Sequence, residues 1–173
     1  MLVVALIGVL AGAVAFSLAG QAQHQSRHSV IAAIAQADKM ARIASRRLGR
    51  AVMLRLDLDE QRVDRLVDAG SESVGHALML SKQVQMDRII LPRASTTGSG
   101  RFDLSDWTKG HGVVEIACVD GRSASYAVAL AGESVDQPTW LVFSGLTGQM
   151  TVIHHEEEIH NLFALLARRP DAD

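Results

Sequence analysis

The stretch QAQHQSRHSVIAAIAQADKMARIASRRLGR, residues 21–50, predicts one long amphipathic helix, because it has no proline and repeats apolar residues at helical spacing. The apolar positions follow one another at intervals of 4, 3, 4, 3 and 4 residues and form one stripe: Val30, Ile34, Ala37, Ala41, Ala44 and Leu48. We expect this stripe to pack against the domain that follows, and Gly49 to end the helix.

The charged residues of this helix predict a basic unit joined to an acidic one. Four basic residues fall mainly on the side away from the stripe: Lys39, Arg42, Arg46 and Arg50. Residues 1–50 contain six basic residues and one acidic residue, whereas residues 51–173 contain 11 basic and 18 acidic residues. No aromatic residue lies among the basic residues of the helix, so we expect no nucleic acid partner.

Upstream of the helix, residues 1–20 read MLVVALIGVLAGAVAFSLAG, and the nineteen residues after Met1 carry no charge. Twenty helical residues span about 30 Å, which matches the hydrocarbon core of a bilayer. We therefore predict that residues 1–22 are the transmembrane half, and residues 23–49 the amphipathic half, of one helix. A cleaved secretory signal is the alternative, because Ser17, Ala19 and Gly20 fit a cleavage site although no basic residue precedes Leu2.

Small residues recur along the predicted span at spacings that favour close helix packing. They are Gly8, Ala11, Gly12, Ala15 and Ala19. Such a face lets helices approach closely within lipid, so we expect it to pack against other helices. The alternative is that an apolar helix rich in Ala and Gly produces this spacing by chance.

After Gly49 the apolar period changes from 3.6 to 2, which predicts β-strands in the remaining domain, residues 50–173. The runs VVEIACV and SASYAVALA flank Asp120-Gly121 and predict a hairpin. TWLVF and QMTVI flank SGLTG and predict a second hairpin, with Gly145 and Gly148 at turn positions of positive φ. EEEIHNLFALLARR predicts a short C-terminal helix. The predicted fold class is α+β, with the long N-terminal helix packed on an antiparallel β-sheet.

Two features carry residue types that could support chemistry. The single cysteine, Cys118, lies in an apolar strand-like run, where a buried thiol is expected. The run HHEEEIH, residues 154–160, holds metal-ligand residue types, but Ile159 occupies the position where a zinc-protease helix needs its second histidine. We expect a solvated helix start there, with no catalytic residue, metal or cofactor. The alternative is an extracytoplasmic domain, secreted or held by its signal segment, that binds a metal through the cluster from His154 to His160.

Three stretches together resemble the type IV pilin-like proteins, most closely the H-type minor pseudopilins of type II secretion: residues 1–20, residues 49–63 and residues 145–152. The resemblance implies a non-enzymatic assembly subunit of a filament that supports protein export. Its N-terminal helix would lie in the inner membrane as a single pass and pack with other pseudopilins or pilins in the filament. Its β domain would lie in the periplasm.

The chain departs from this family at its start. Family members carry a short basic leader, a glycine cleavage site, a phenylalanine and a glutamate four residues later, and none of these is in the sequence. The prepilin peptidase, which cleaves and methylates family members, would be a partner only if a leader lies upstream of Met1. All nearby basic residues follow the span, which by itself predicts a cytoplasmic domain, whereas a basic leader would favour the opposite orientation. We therefore expect an in-frame leader upstream.

Overall fold

The computed structural model describes residues 26–67, 72–81, 83–92, 108–132 and 137–167, with side chains through Phe163. Helix α1 covers residues 26–48. Within these ranges no helix combines the length and the apolar character needed to cross a bilayer. The predicted transmembrane half lies outside the described residues, and so does its packing face of Gly8, Ala11, Gly12, Ala15 and Ala19.

The described residues after α1 form ten strands and a short helix. In chain order these are β1 Val52–Asp57, β2 Arg62–Val67, β3 Glu72–Ser73, β4 Leu78–Met79, β5 Val84–Ile90, β6 Thr108–Lys109, β7 Val113–Cys118, β8 Tyr126–Gly132, β9 Thr139–Phe143, β10 Met150–Ile153 and α2 Glu156–Ala167. All pairings among these strands are antiparallel. The first sheet has the order β3-β2-β1-β7, with β4 also paired to β2, and the second has the order β10-β9-β8-β5-β6. The fold is therefore α+β, with two sheets where the sequence analysis expected one.

The hairpin predicted around Asp120-Gly121 is wrong beyond its turn. Asp120 and Gly121 have φ of 50° and 76°, and a single bridge joins Val119 to Arg122. Strand β7 then pairs with β1, whereas β8 pairs with β5 and β9. The burial pattern gives the reason: β7 alternates between exposed and buried side chains, whereas the first five side chains of β8 are all buried. A strand covered on both faces belongs in the centre of a sheet with a layer on each side.

The main core lies where α1 meets the two sheets. Alternate residues of β8, namely Tyr126, Val128 and Leu130, face this core. Ala127 and Ala129 face the opposite side, where Ile159 and Phe163 of α2 cover Trp140. Helix α2 therefore shields the outer face of the second sheet, while α1 occupies the inner layer.

The apolar stripe of α1 contacts the main core along most of its length. Val30, Ile34, Ala37 and Ala41 are buried, and Ala44 is partly buried against the same cluster. Leu48 departs from the expectation, because its side chain is 50% exposed. Three residues earlier, Ser45 already contacts the turn beyond the end of β7 through the Gly121 amide. The final turn of the helix therefore extends past the strands that bury the rest of the stripe.

Candidate functional site

The junction between α1 and the β domain contains an ion pair that the sequence analysis did not anticipate. Asp38 and Arg42 are 1% and 6% exposed, and the Arg42 Nε donates to Asp38 Oδ2 at 2.7 Å. Arg42 therefore departs from the expectation that the basic residues lie mainly on the side away from the stripe. At about 100° per residue, Asp38 and Ser45 lie within roughly 40° of Ile34 around the helix axis, inside the buried face. The apolar stripe and these polar residues thus share one face.

Arg42 connects the helix to two separate turns of the β domain. Its Nη1 donates to the Gly145 carbonyl at 2.8 Å and lies 3.5 Å from the Gly121 carbonyl. Its Nη2 donates to the Ser123 hydroxyl at 2.7 Å. A guanidinium suits this role because its donors project in a rigid planar fork. One side chain therefore fixes the turn after β7 and the turn after β9 relative to α1.

Ser45 and Tyr126 complete what we call the polar cluster, defined as Asp38, Arg42, Ser45 and Tyr126. The Ser45 hydroxyl donates to the Arg42 carbonyl and accepts from the Gly121 amide, both at 2.9 Å. The Tyr126 hydroxyl donates to Asp38 Oδ1 at 2.9 Å, and its ring stacks on Phe143 with centroids 4.6 Å apart. Every member of the cluster thus has a partner, as buried polar groups require.

Burial changes the acidity of two groups beside the cluster. Burial raises the pKa of Tyr126 well above its usual value, and the negative charge of Asp38 and the hydrogen bond to it add to the effect. Burial also raises the pKa of Cys118 to about 11, with a further increase from Asp38 and an opposing effect of Arg42. Because only a thiolate is strongly nucleophilic, Cys118 is a core residue rather than a reactive one.

The glycines of the two turns serve different purposes. Gly121 and Gly148 have φ of 76° and 69°, as expected for these turn positions. Gly145 does not have a positive φ, so the expectation for it is corrected. A Cβ at Gly145 would lie 2.2 Å from the Ser123 carbonyl oxygen, which leaves no space for a side chain. Glycine there permits close contact between the two turns that Arg42 joins.

At the other end of the described helix, the contacts to the β domain are polar and fewer. The Arg27 guanidinium donates to the Thr139 hydroxyl at the start of β9, and the hydroxyls of Ser26 and Ser81 lie 3.3 Å apart. Together with the polar cluster, these contacts fix both ends of α1 to the domain. The arrangement can therefore hold the helix and the domain in one relative orientation.

The HHEEEIH run lies where β10 leads into α2. Glu156 pairs with Arg88 at 3.1 Å, and Arg88 lies over the Trp140 ring at 5.3 Å from its centroid. Burial lowers the pKa of Arg88, but the hydrogen bonds and charges of Glu156 and Asp87 outweigh it, so the pKa is raised. In the described part of the chain, no three His, Cys, Asp or Glu side chains are arranged to hold a metal ion.

Comparisons with known proteins identify the fold. No protein-family model and no curated protein matches the sequence. Two solved structures of the minor pseudopilin EpsH, from the type II secretion system of Vibrio cholerae, match with TM-scores of 0.52 and 0.53. Each is 12% identical in sequence, and the matches cover 75% of this chain and 96% and 97% of theirs. The chain therefore has the pilin-like fold of a minor pseudopilin.

Proposed function

We propose that this protein is a non-enzymatic assembly subunit of a pilin-like filament that supports protein export. The observation that carries the proposal is the fold, in which a long helix is fixed at both ends to a two-sheet domain. A subunit whose helix joins a filament must transmit the position of that helix to its domain. The fully hydrogen-bonded polar cluster gives the junction the rigidity that this role requires.

The uncharged segment of residues 1–20 gives the helix its assembly role. In this proposal it lies in the inner membrane, with the β domain in the periplasm, until the subunit enters the filament. The small residues from Gly8 to Ala19 then contact the helices of neighbouring subunits. A prepilin peptidase acts on the chain if a leader precedes Met1.

Secretion by the native host tests this proposal. Deleting the gene is expected to reduce export of the proteins that the system secretes, and the full chain is expected to restore it. The variant Gly8→Ile with Gly12→Ile should restore export poorly, because the added side chains separate the packed helices. Ala13→Ile with Ser17→Ile is the matched control, since it adds two of the same side chains about 140° and 180° away from Gly8 around the helix.

Two results would contradict the proposal. Export that is unchanged by deletion of the gene would exclude a role in secretion. Mass spectrometry of the mature protein that shows cleavage near residue 20 would remove the proposed packing helix altogether and favour a secreted domain.

A further inference from the structure

Strand β10 forms an open edge of the second sheet. Within the described residues it pairs with β9 on one side and with no strand on the other. Thr151 and Val152 are exposed along this edge. A strand edge with unpaired backbone groups can accept an extended segment of another chain, which adds main-chain hydrogen bonds to the sheet.

The hydrogen bonds of the β9–β10 hairpin show which backbone groups of β10 are left over. The Ser144 amide donates to the Gln149 carbonyl at 2.9 Å. Bonded pairs recur at every second residue of an antiparallel ladder, so Thr151 bonds to β9. The amides and carbonyls of Met150 and Val152 therefore point away from β9, towards the open edge.

This edge lacks the features with which proteins usually prevent strand addition, namely charged side chains, proline, β-bulges and very short strands. Its sequence MTVI has no charge and no proline, and its pairing with β9 is regular. The other outer strands that the structure describes differ: β3, β4 and β6 are two residues long, and β7 carries the exposed Glu115. Among these strands, β10 is the one best suited to receive a partner.

Helix α1 lies alongside β9 and β10. Arg27 donates to Thr139 at the start of β9, and Arg42 donates to Gly145 just after its end. The helix rises about 22 Å between these two arginines. An extended chain covers about 20 Å between the two residues that they contact. The helix therefore runs in the direction of β9 and opposite to the direction of β10.

The flank of α1 on the β10 side is incompletely covered and apolar. Ala35 and Ile43 are partly buried and line a cavity of about 420 Å³, whose other wall is formed by Thr147 and Gly148, just before β10. Ile31, also partly buried, lies one helical turn before Ala35 on the same flank. The side chains on the inner face of an added strand would pack against this flank and bury it.

The same cavity is positively charged. Lys39, Arg42 and Arg46 line it. Arg42 is paired with Asp38, whereas Lys39 and Arg46 are exposed and have no ion-pair partner among the described residues. The described strands of this sheet are antiparallel throughout, so an added strand would end at the start of β10, beside these cations. An acidic residue at its C-terminal end would complement their charge.

We propose that β10 is a strand-addition site that binds an extended segment of a partner protein antiparallel to itself. The backbone groups of Met150 and Val152 bond to the main chain of the segment. The segment carries β-branched apolar residues at alternate positions, which cover the α1 flank, and an acidic residue at its C-terminal end, which contacts Lys39 and Arg46. This surface goes beyond the proposed assembly role, and only the choice between a partner and a second copy rests on that role.

Self-pairing of two β10 strands is the rival arrangement. Two identical strands pair antiparallel about a two-fold axis perpendicular to the sheet, and such an axis reverses every element that lies parallel to the sheet. The α1 helices of the two copies would then point in opposite directions. Two copies anchored in one membrane by their N-terminal segments, as proposed above, cannot adopt this arrangement. A different protein is therefore the favoured occupant.

A synthetic peptide tests the site on the full chain in detergent micelles. The probe is Lys-Val-Thr-Val-Thr-Val-Thr-Glu, with an amidated C-terminus and fluorescein at the N-terminus, and binding is measured by fluorescence anisotropy. In the proposed register its fourth residue pairs with Val152, and its glutamate lies opposite Gly148. Saturable binding is expected at micromolar concentrations, and no binding up to about 1 mM would overturn the proposal.

N-methylated peptides distinguish strand addition from other modes of binding. A methyl group on the amide of the fourth residue removes a hydrogen bond to Val152, so the affinity should fall about tenfold. The same methyl on the fifth residue is the matched control: that amide points away from β10, and the affinity should change by less than about threefold. Equal losses for the two peptides would overturn the proposal.

Two variants test the same hydrogen bond from the side of the chain. Proline is tolerated in an edge strand where the lost amide faces solvent, so Val152→Pro should leave the tryptophan fluorescence of the chain unchanged. It should weaken peptide binding about tenfold. Val152→Thr retains the amide and is the matched control, with binding within about threefold of the wild type. If the two variants bind the peptide equally well, β10 is not the site.

Exchanging the terminal charges of the peptide tests the direction of the segment. The peptide Glu-Val-Thr-Val-Thr-Val-Thr-Lys has the same composition and should bind about fivefold more weakly. Lys39→Glu should abolish or reverse this preference. Arg47→Glu is the matched control, because Arg47 is an exposed residue of α1 that does not line the cavity. A preference that Lys39→Glu leaves unchanged would overturn the assigned contact with the acidic residue.

Amide hydrogen exchange locates the peptide and tests for a second copy. Peptide binding should slow exchange at Met150 and Val152 and leave β7 unchanged, whereas slowed exchange at β7 alone would overturn the proposal. Slow exchange at Met150 and Val152 in the free chain, lost on dilution, would assign the edge to a second copy and also overturn it. These measurements are independent of export: the assembly role stands if peptide binding fails, and the strand-addition site stands if deletion of the gene leaves export unchanged.

Discussion

Helix α1 is held to the β domain in two physically different ways, and the difference shows what each contributes. The apolar stripe, Val30, Ile34, Ala37 and Ala41, is buried by a hydrophobic contact that has no preferred direction. The polar cluster instead makes directional hydrogen bonds to two turns and to β8. The stripe therefore supplies attraction, and the cluster determines how the helix is rotated and where its end lies.

The largest predicted effect follows from the removal of Arg42. We expect Arg42→Ala to lower the free energy of unfolding by about 4 kcal/mol, because it leaves the Asp38 carboxylate buried without its ion-pair partner. Chemical denaturation of the full chain in detergent, followed by tryptophan fluorescence, measures the change. Arg47→Ala is the matched control: Arg47 lies exposed on the same helix, so a change within about 0.5 kcal/mol is expected.

A double variant sharpens this prediction. Asp38→Ala with Arg42→Ala removes both charges, so it should be less destabilised than the sum of the two single variants. If Arg42→Ala behaves like Arg47→Ala, then solvent reaches the pair and the polar cluster does not set the orientation of the helix.

The apolar stripe is tested by Ile34→Ala, for which we expect a loss of about 3 kcal/mol from the removed contacts and the cavity left behind. Ile34 is fully buried in the main core. Leu48→Ala is the control from the exposed end of the predicted stripe and should change stability by less than about 0.5 kcal/mol. Equal effects at the two positions would show that the stripe continues to Leu48 in solution.

The difference between the apolar stripe and the polar cluster also explains which features of the fold could be predicted from the sequence. The apolar stripe, the strands and the turn residues leave periodic or local signals. These signals predicted α1, the four strands from β7 to β10 and the β9–β10 hairpin. The polar cluster leaves no such signal, because the partners of Arg42 in the β domain lie 79 or more residues away along the chain. Asp38 and Arg42 have the i,i+4 spacing of an ordinary surface pair, and only their angular position near Ile34 distinguishes them.

The division into two sheets was missed for a related reason. An Asp-Gly turn specifies that the chain reverses, but it does not specify which strand each arm then joins. The burial of β8 on both faces determines which strands it joins, because such a strand must lie in the centre of a sheet. Its run YAVAL accordingly contains no charged residue. That uninterrupted run could have indicated a strand buried on both faces, since strands with one solvated face, such as β7, alternate between exposed and buried side chains.

Alkaline pH tests the interior beside the polar cluster. The pKa of Cys118 is raised to about 11 from an ordinary value near 9. The folded state therefore keeps the thiol proton longer than the unfolded chain, so this contribution is complete below about pH 9 and is lost as the pH rises towards 11. A difference of about 2 between the folded and unfolded pKa of Cys118 corresponds to roughly 3 kcal/mol in the free energy of unfolding. Tyr126, whose pKa is also raised, adds a further loss of stability above pH 10.

The measurement is the free energy of unfolding as a function of pH. In the wild-type chain it should fall between pH 9 and 11, and Cys118→Ala should make that fall shallower, whatever its effect at neutral pH. Parallel curves for the two chains would show that the thiol is solvated when folded, and the interior beside Asp38 would then be open to water.

The smallest predicted effect concerns the close contact of the two turns that Arg42 joins. A Cβ at Gly145 would lie 2.2 Å from the Ser123 carbonyl oxygen and 2.8 Å from the Ala124 carbonyl carbon, both backbone atoms that cannot move aside independently. Gly145→Ala is therefore expected to cost about 2 kcal/mol through overpacking. Gly49→Ala is the control: it has open space and a φ of 62°, so only the backbone penalty of about 1 kcal/mol applies. If Gly145→Ala is no more costly than Gly49→Ala, the turns separate without loss, and the polar cluster fixes the helix to each turn independently.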